Sequence, residues 1–368
     1  MRFFLPAVLA VLMAPVDVHG QAEPGGTAEV DRYPIVVDGR AGFIDRTGKL
    51  VIHPRFDAVS AFSDGLARVK LGVTETPEGA MTGGAYGFVD PAGNFVIPAS
   101  HGYAHDFSEG RAAVRVGRLT GYVDHAGKLA IPAAYLRGKD FHEGRAAVEV
   151  AHDRWAFIDR DGEVVFALPP DTDLSDVPRF HAGHVGVALR RRRPIRATRW
   201  YDRDGKVVAE LPFGAARTLS EGLVAVRDAE KELWGFVDLK GRWVLAPAWP
   251  FAWGFRDGRA LVKLPNGRSA FIDKAGKVLL AGQTGDVLDG VSEGLVRFRR
   301  ADRYGYLDLS GKVIVEPIWE PPYNQLERFT GGLALVARTR GEAHEEGYID
   351  RSGAMVWAPT PSRWRPAR

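Results

Sequence analysis

Apolar residues along this chain fall in runs of two to five, and no stretch after the first twenty or so residues holds the three-to-four spacing of an amphipathic helix. One unit shows the pattern. Gly42-Phe43-Ile44 and Leu50-Val51-Ile52 are short β-prone runs flanking the polar segment Asp45-Arg46-Thr47-Gly48-Lys49. Asp at the first position of a type I turn accepts backbone N–H groups, and Gly at the fourth suits the left-handed position of a bulged hairpin. The spacing therefore predicts a hairpin, and it recurs nine times. The paired turn residues are Asp45 and Gly48, Asp90 and Gly93, Asp124 and Gly127, Asp159 and Gly162, Asp202 and Gly205, Asp238 and Gly241, Asp273 and Gly276, Asp308 and Gly311, and Asp350 and Gly353. A period of about 35 residues, stretched where loops intervene, describes a modular array rather than one mixed core.

A second motif follows each hairpin except the last. It reads Phe62–Val69, Phe107–Val114, Phe141–Val148, Phe180–Val187, Leu219–Val226, Phe255–Val262, Val291–Phe298 and Phe329–Val336. Its Gly is expected to supply a positive φ at a turn leading into a half-buried strand. Ile35-Val36-Val37 stands for this strand in the first copy. Each unit then has three strands, and connections such as Pro54–Ala61 leave room for a fourth. The expected fold is all-β, a tandem array of about nine three-stranded meander units that bury their apolar faces against one another. An open curved array is favoured, because about 35 residues is tight for four strands and nine units exceed the usual blade number. The alternative is a closed, β-propeller-like ring.

The wording Phe-Ser-Glu-Gly-Leu/Arg-Ala-x-Val, followed by Gly-Phe-Ile-Asp-x-x-Gly-Lys-Val-Val-Ile, resembles the WG-repeat (KWG-repeat) family of bacterial proteins from about Ile35 to Pro359. The namesake Trp-Gly is literal only at Trp234-Gly235. Elsewhere it is Tyr86-Gly87, Tyr304-Gly305, Thr120-Gly121, Trp155-Ala156 or Glu346-Gly347. Copies four and five depart most, through Pro169–Pro178 and the missing Gly before Trp200-Tyr201. The resemblance implies a repeat scaffold and carries no set of catalytic residues.

Composition changes the picture little. Hydrophobic content of 45% and charge of 26% suit a folded protein, and 43 Gly and 23 Pro suit a chain full of turns. A net charge of +3 gives no whole-chain case for nucleic-acid binding. The N-terminus is more informative. Arg2 precedes an apolar stretch, Phe3–Ala14, too short to span a bilayer, and small residues follow. Residues 1–22 read as a secretory signal peptide cleaved after Gly20 or Ala22, 23–34 as a linker, 35–359 as the repeat domain and 360–368 as a tail. With no Cys in the chain, neither a cysteine-linked lipid nor a disulfide is available. The expected product is exported, soluble, and periplasmic or extracellular.

The residue patterns that resemble catalytic or metal-binding motifs fit scaffold roles. Gly305–Lys312 has the wrong spacing and no Ser or Thr after its Lys for a phosphate loop. His101 with His105, and His181 with His184, lie on no helix that would make them metal pairs. Ser63, Ser108, Ser220 and Ser292 occupy matched repeat positions, as scaffold does and a unique nucleophile does not. No catalytic residue, metal or cofactor is assigned. The residues that break the repeat are the binding candidates: Arg190, Arg191, Arg192, Arg193, Arg196 and Arg199 in the long fourth interval, and the aromatic residues Trp249 and Trp253. The Gly- and Thr-rich insertion Gly72–Ala85 is a further candidate face. The expected function is non-enzymatic binding or scaffolding in the bacterial cell envelope, with a protein or an anionic envelope glycan as partner. The alternatives are a secreted hydrolase of envelope glycans and a passive spacer.

Overall fold

The computed structural model describes residues 31–76, 80–170, 172, 179–189, 197–213, 215–321, 328–341 and 343–361. The signal peptide 1–22, most of the linker, Arg190–Arg193, Arg196 and residues 362–368 lie outside them. Among the described residues there is no helix. The described residues form thirty-one strands in nine antiparallel sheets, each a meander in chain order. Sheets 1 to 9 span Tyr33–Phe56, Ala58–His101, Ala112–Tyr135, Arg137–Ala167, His184–Leu211, Val224–Trp249, Phe251–Ala281, Val287–Trp319 and Leu333–Pro361. Sheets 2, 4, 7 and 8 have a fourth strand ahead of the three core strands, two residues long in sheets 2 and 4 and six in sheets 7 and 8. Sheets 3, 5, 6 and 9 replace it with a single bridge: Ala104 with Val114, Thr172 with Leu189, Ala216 with Val226 and Glu320 with Ala337.

Both predicted turns form. In the Asp-x-x-Gly hairpins the Asp carboxylate accepts the N–H groups two and four residues on, at 2.9 and 3.0 Å from Thr47 and Lys49 to Asp45. The glycines take φ between +75° and +92°. The second turn is tighter than expected. Its Gly and the residue before it both have positive φ, and backbone bonds close it in both directions, as between Ser63 and Leu66. That is a two-residue hairpin of type I′. The acids Asp64, Glu109, Glu143, Glu221, Asp257 and Glu293 therefore sit in a left-handed conformation that disfavours side chains bearing a Cβ.

The Gly of the family signature has a steric reason. In sheet 3, Thr120 pairs with Tyr135 and Tyr122 with Ile131, so the third strand carries two extra residues opposite Gly121. A Cβ on Gly121 would lie 2.7 Å from the Ile131 carbonyl oxygen. Gly42, Gly87, Gly235 and Gly305 meet the same bulge in seven-residue third strands. Where Ala156 and Ala270 stand instead, the third strand is four residues long and pairs directly, as Ala156 does with Ala167.

The array closes on itself, which corrects the open arrangement favoured above. At successive seams the hairpin Gly of one sheet lies against an apolar residue of the sheet before: Gly93 on Ile52, Gly127 on Ile97, Gly353 on Val315. Gly48 of sheet 1 lies in the same way on Val356 of sheet 9. Tyr33, Ile35 and Ile44 share a core with Leu333, Leu335 and Tyr348. Tyr33 Oη donates to the Gly331 carbonyl at 2.6 Å and Tyr348 Oη to the Pro34 carbonyl at 2.9 Å. Every sheet has an apolar face that only a neighbour can cover, and the two terminal sheets cover each other. The first strand begins at Tyr33, so the domain includes two residues read as linker.

Candidate interaction surface

The order of strands fixes two ends of the ring. The type I′ turns and the Asp-x-x-Gly hairpins stand at one end. The hairpins joining the first and middle core strands stand at the other. At the first end the acids of five type I′ turns, Asp64, Glu109, Glu143, Glu221 and Glu293, reach the next sheet. Glu109 accepts the Glu143 and Gly144 N–H groups at 2.6 and 2.7 Å and the Arg160 guanidinium at 2.8 Å. Glu143 accepts from Gly183 and Arg203, and Glu221 from Gly258 and Lys274. Asp64 accepts the Gly110 N–H, while His125 Nε2 bonds the Asp64 carbonyl at 2.8 Å. These bonds help offset the cost of holding an acid at positive φ. The serines join in: Ser63 Oγ donates to the Phe107 carbonyl and Ser108 Oγ to the Phe141 carbonyl. Their repetition is structural, as the sequence indicates.

This network titrates. Burial raises the carboxyls of Glu109, Glu143 and Glu221, but the cations and N–H groups facing them outweigh it and leave all three below the usual range. Burial, then Arg179, lowers the His142 imidazole. The signs agree. As pH falls through the ordinary imidazole range the unfolded chain takes up a proton before His142 does, and lower still it protonates the carboxylates first. The melting temperature is therefore expected to fall from neutrality downward in two limbs, with His142→Gln flattening the upper one. A melting temperature constant down to the carboxylate range would refute this account.

Between the hairpins of sheets 4 and 5 lies an open depression of about 480 Å³, lined by Glu143, Arg145, Asp159, Arg160, Asp161 and Arg203. Most of its charges are committed: Arg160 and Arg203 to carboxylates, and Arg145 Nε to the Arg203 carbonyl at 2.8 Å. Gly305–Lys312 forms strand and hairpin, with no helix start to cradle a phosphate. Glu149, His152 and Asp153 bring three possible ligand atoms within 4.8 Å of one another. Glu149 already receives Arg137 and the Asp153 N–H, so the group reads as a pinned hairpin tip.

The sequence candidates separate. Trp249 is 8% exposed and packs beside Phe236 in the core of sheets 6 and 7, so it is no binding residue. Trp253 is half-buried, and the Arg217 guanidinium lies 3.9 Å from its ring centroid, flanked by Trp234 and Phe251. Arg199 is held by Glu210 at 2.9 and 3.0 Å. The insertions share the second end of the ring. The sheet 2 hairpin pairs out to Glu75 with Met81, and the sheet 9 hairpin to Arg340 with Ala343, whereas sheet 3 turns at Val116 and Leu119. Leu189 and Ala197, which flank the arginine-rich segment, end on that same side.

The sequence profile of the WG containing repeat matches residues 42–72, 86–119, 121–151, 234–268 and 304–337. The chain belongs to the WG-repeat family. The five matched WG repeats are those of sheets 1, 2, 3, 6 and 8, where the signature Gly faces a bulged third strand. No curated protein matches the chain in sequence. Among solved structures, a crystal structure of the eukaryotic initiation factor is similar at TM-score 0.56 and 10% identity, over 91% of this chain and 96% of that one. BamB from Moraxella catarrhalis aligns at TM-score 0.37 and 10% identity, over 89% and 95% of the two chains. The WD40 β-propeller domain of Doa1 aligns at TM-score 0.29 and 12% identity, over 57% and 80%. The first likeness concerns the fold alone. Among the described residues no helix is long and apolar enough to cross a membrane.

Proposed function

We propose that this WG-repeat protein is an exported, non-enzymatic binding or scaffolding protein of the bacterial cell envelope. One observation carries the reading: the units depart from the repeat by lengthening hairpins at a single end of the ring. Insertions collected on one face are how repeat proteins make a binding surface. The other end supports a passive role, since its charged turns are tied to one another across the seams. Export rests on the N-terminal leader. A protein or anionic envelope glycan is the partner, met by the arginine-rich connection Arg190–Arg193 with Arg196, whose charges would draw acidic groups at low salt.

The test uses the mature chain and two variants. One neutralises Arg190–Arg193; the other replaces residues 73–83 by a two-residue turn. Binding is measured to purified anionic envelope polysaccharide, and to proteins crosslinked in the native envelope. Each variant should melt like the parent and lose binding. Undiminished binding by both variants would move the site to the opposite end and overturn the reading.

A further inference from the structure

One polar constellation at the seam of sheets 3 and 4 has no counterpart among the described residues of the other seams. Tyr103 and His105 lie two residues apart in the extended segment before sheet 3, which pairs with the first strand through Arg115 N–H to Tyr103 O and His105 N–H to Ala113 O. Spacing by two puts both side chains on one side of an extended chain. Tyr103 Oη lies 2.6 Å from His105 Nε2, and His105 Nδ1 lies 2.6 Å from an Asp140 carboxylate oxygen. Asp140 comes from the matching segment of sheet 4, between its short first strand and the three core strands. With Asp140 accepting from Nδ1–H, Nε2 carries the lone pair and accepts the phenol proton. One seam earlier the corresponding acid, Asp106, receives Arg68 instead, a plain ion pair.

We propose that Tyr103, His105 and Asp140 form a relay that makes the Tyr103 hydroxyl an acyl-accepting nucleophile. A nucleophile within hydrogen-bond reach of a base, the base held by a third group, is the general requirement for such activation. The geometry meets it, and access is adequate: Tyr103 is 45% exposed while His105 is largely covered. The phenol keeps its proton at rest, since burial and the Asp140 charge raise it above its ordinary value. Attack and proton transfer are therefore coupled. Tyr103 Oη bonds the carbonyl carbon of an activated ester, its proton passes to His105 Nε2, and the bond to the leaving group breaks. The Tyr103 ester remains, and His105 returns the proton to solvent. The Arg115 guanidinium lies over the Tyr103 ring, 5.7 Å from its centroid. Asp140 acts as a positioning residue. This inference does not depend on the binding role proposed above.

p-Nitrophenyl acetate is the probe, with nitrophenolate release followed in parallel with the site of acetylation by mass spectrometry. Tyr103 should label about a hundredfold faster than the half-buried Tyr86 and Tyr304, the scale of general-base assistance. His105→Gln should remove that advantage, and Tyr103→Phe the label itself. In the parent, the rate at Tyr103 should depart from phenol ionisation, whereas an unassisted phenol keeps accelerating with pH as phenolate forms. Equal labelling of the three tyrosines, or a rate that follows phenol ionisation, would reduce the constellation to an inter-sheet tie. The pH profile decides the matter even if His105→Gln fails to fold.

Discussion

Gly121→Val should destabilise the protein by about 3 kcal/mol, the upper range for forcing atoms into a packed interior. The new Cβ would stand 2.7 Å from the Ile131 carbonyl oxygen and 2.8 Å from the Ala133 nitrogen. Those are backbone atoms fixed by the bulge, so no side chain can swing aside. Gly110→Ala is the matched control. Its Cβ meets open space and φ is +80°, so only the backbone conformation is penalised, by about 1 kcal/mol. Urea unfolding of the two variants separates crowding from conformational strain. Equal losses would mean that the signature glycine is there for another reason.

Tyr348→Ala tests the closure. Tyr348 is 3% exposed, packs edge-on to Tyr33 and bonds the Pro34 carbonyl. Removing a buried aromatic ring costs about 3–5 kcal/mol where the surroundings cannot collapse. In a closed ring that loss should reach both terminal sheets together, so amide exchange should quicken in Tyr33–Phe56 and in Leu333–Pro361 alike. In an open array sheet 1 would exchange as before, and the seam described above would be wrong.

What the sequence reveals here tracks how local each interaction is. The Asp-x-x-Gly hairpins are legible because the carboxylate and the N–H groups it satisfies are two and four residues apart. The acid beside Gly in the type I′ turn is harder to read. Its partners lie 34 to 60 residues away in the next sheet, and its repetition is the available signal. Closure depends on the angle between neighbouring sheets, which no residue pattern prints. The burial of Trp249 follows from the repeat register. That residue stands fourteen residues after Gly235, as Phe56, Tyr135 and Trp319 stand after Gly42, Gly121 and Gly305, and all four are buried. Tyr103, His105 and Asp140 escape a reading by motif because the acid is contributed by a separate sheet.

The seam between sheets 9 and 1 carries the same kinds of contact as the other eight and differs mainly in lacking a covalent crossing. The place where the polypeptide starts is then arbitrary with respect to the ring. A gene rearranged to join Pro361 to Asp31 through a short spacer, and opened instead within the connection between two other sheets, should encode the same circle of sheets from a different starting point.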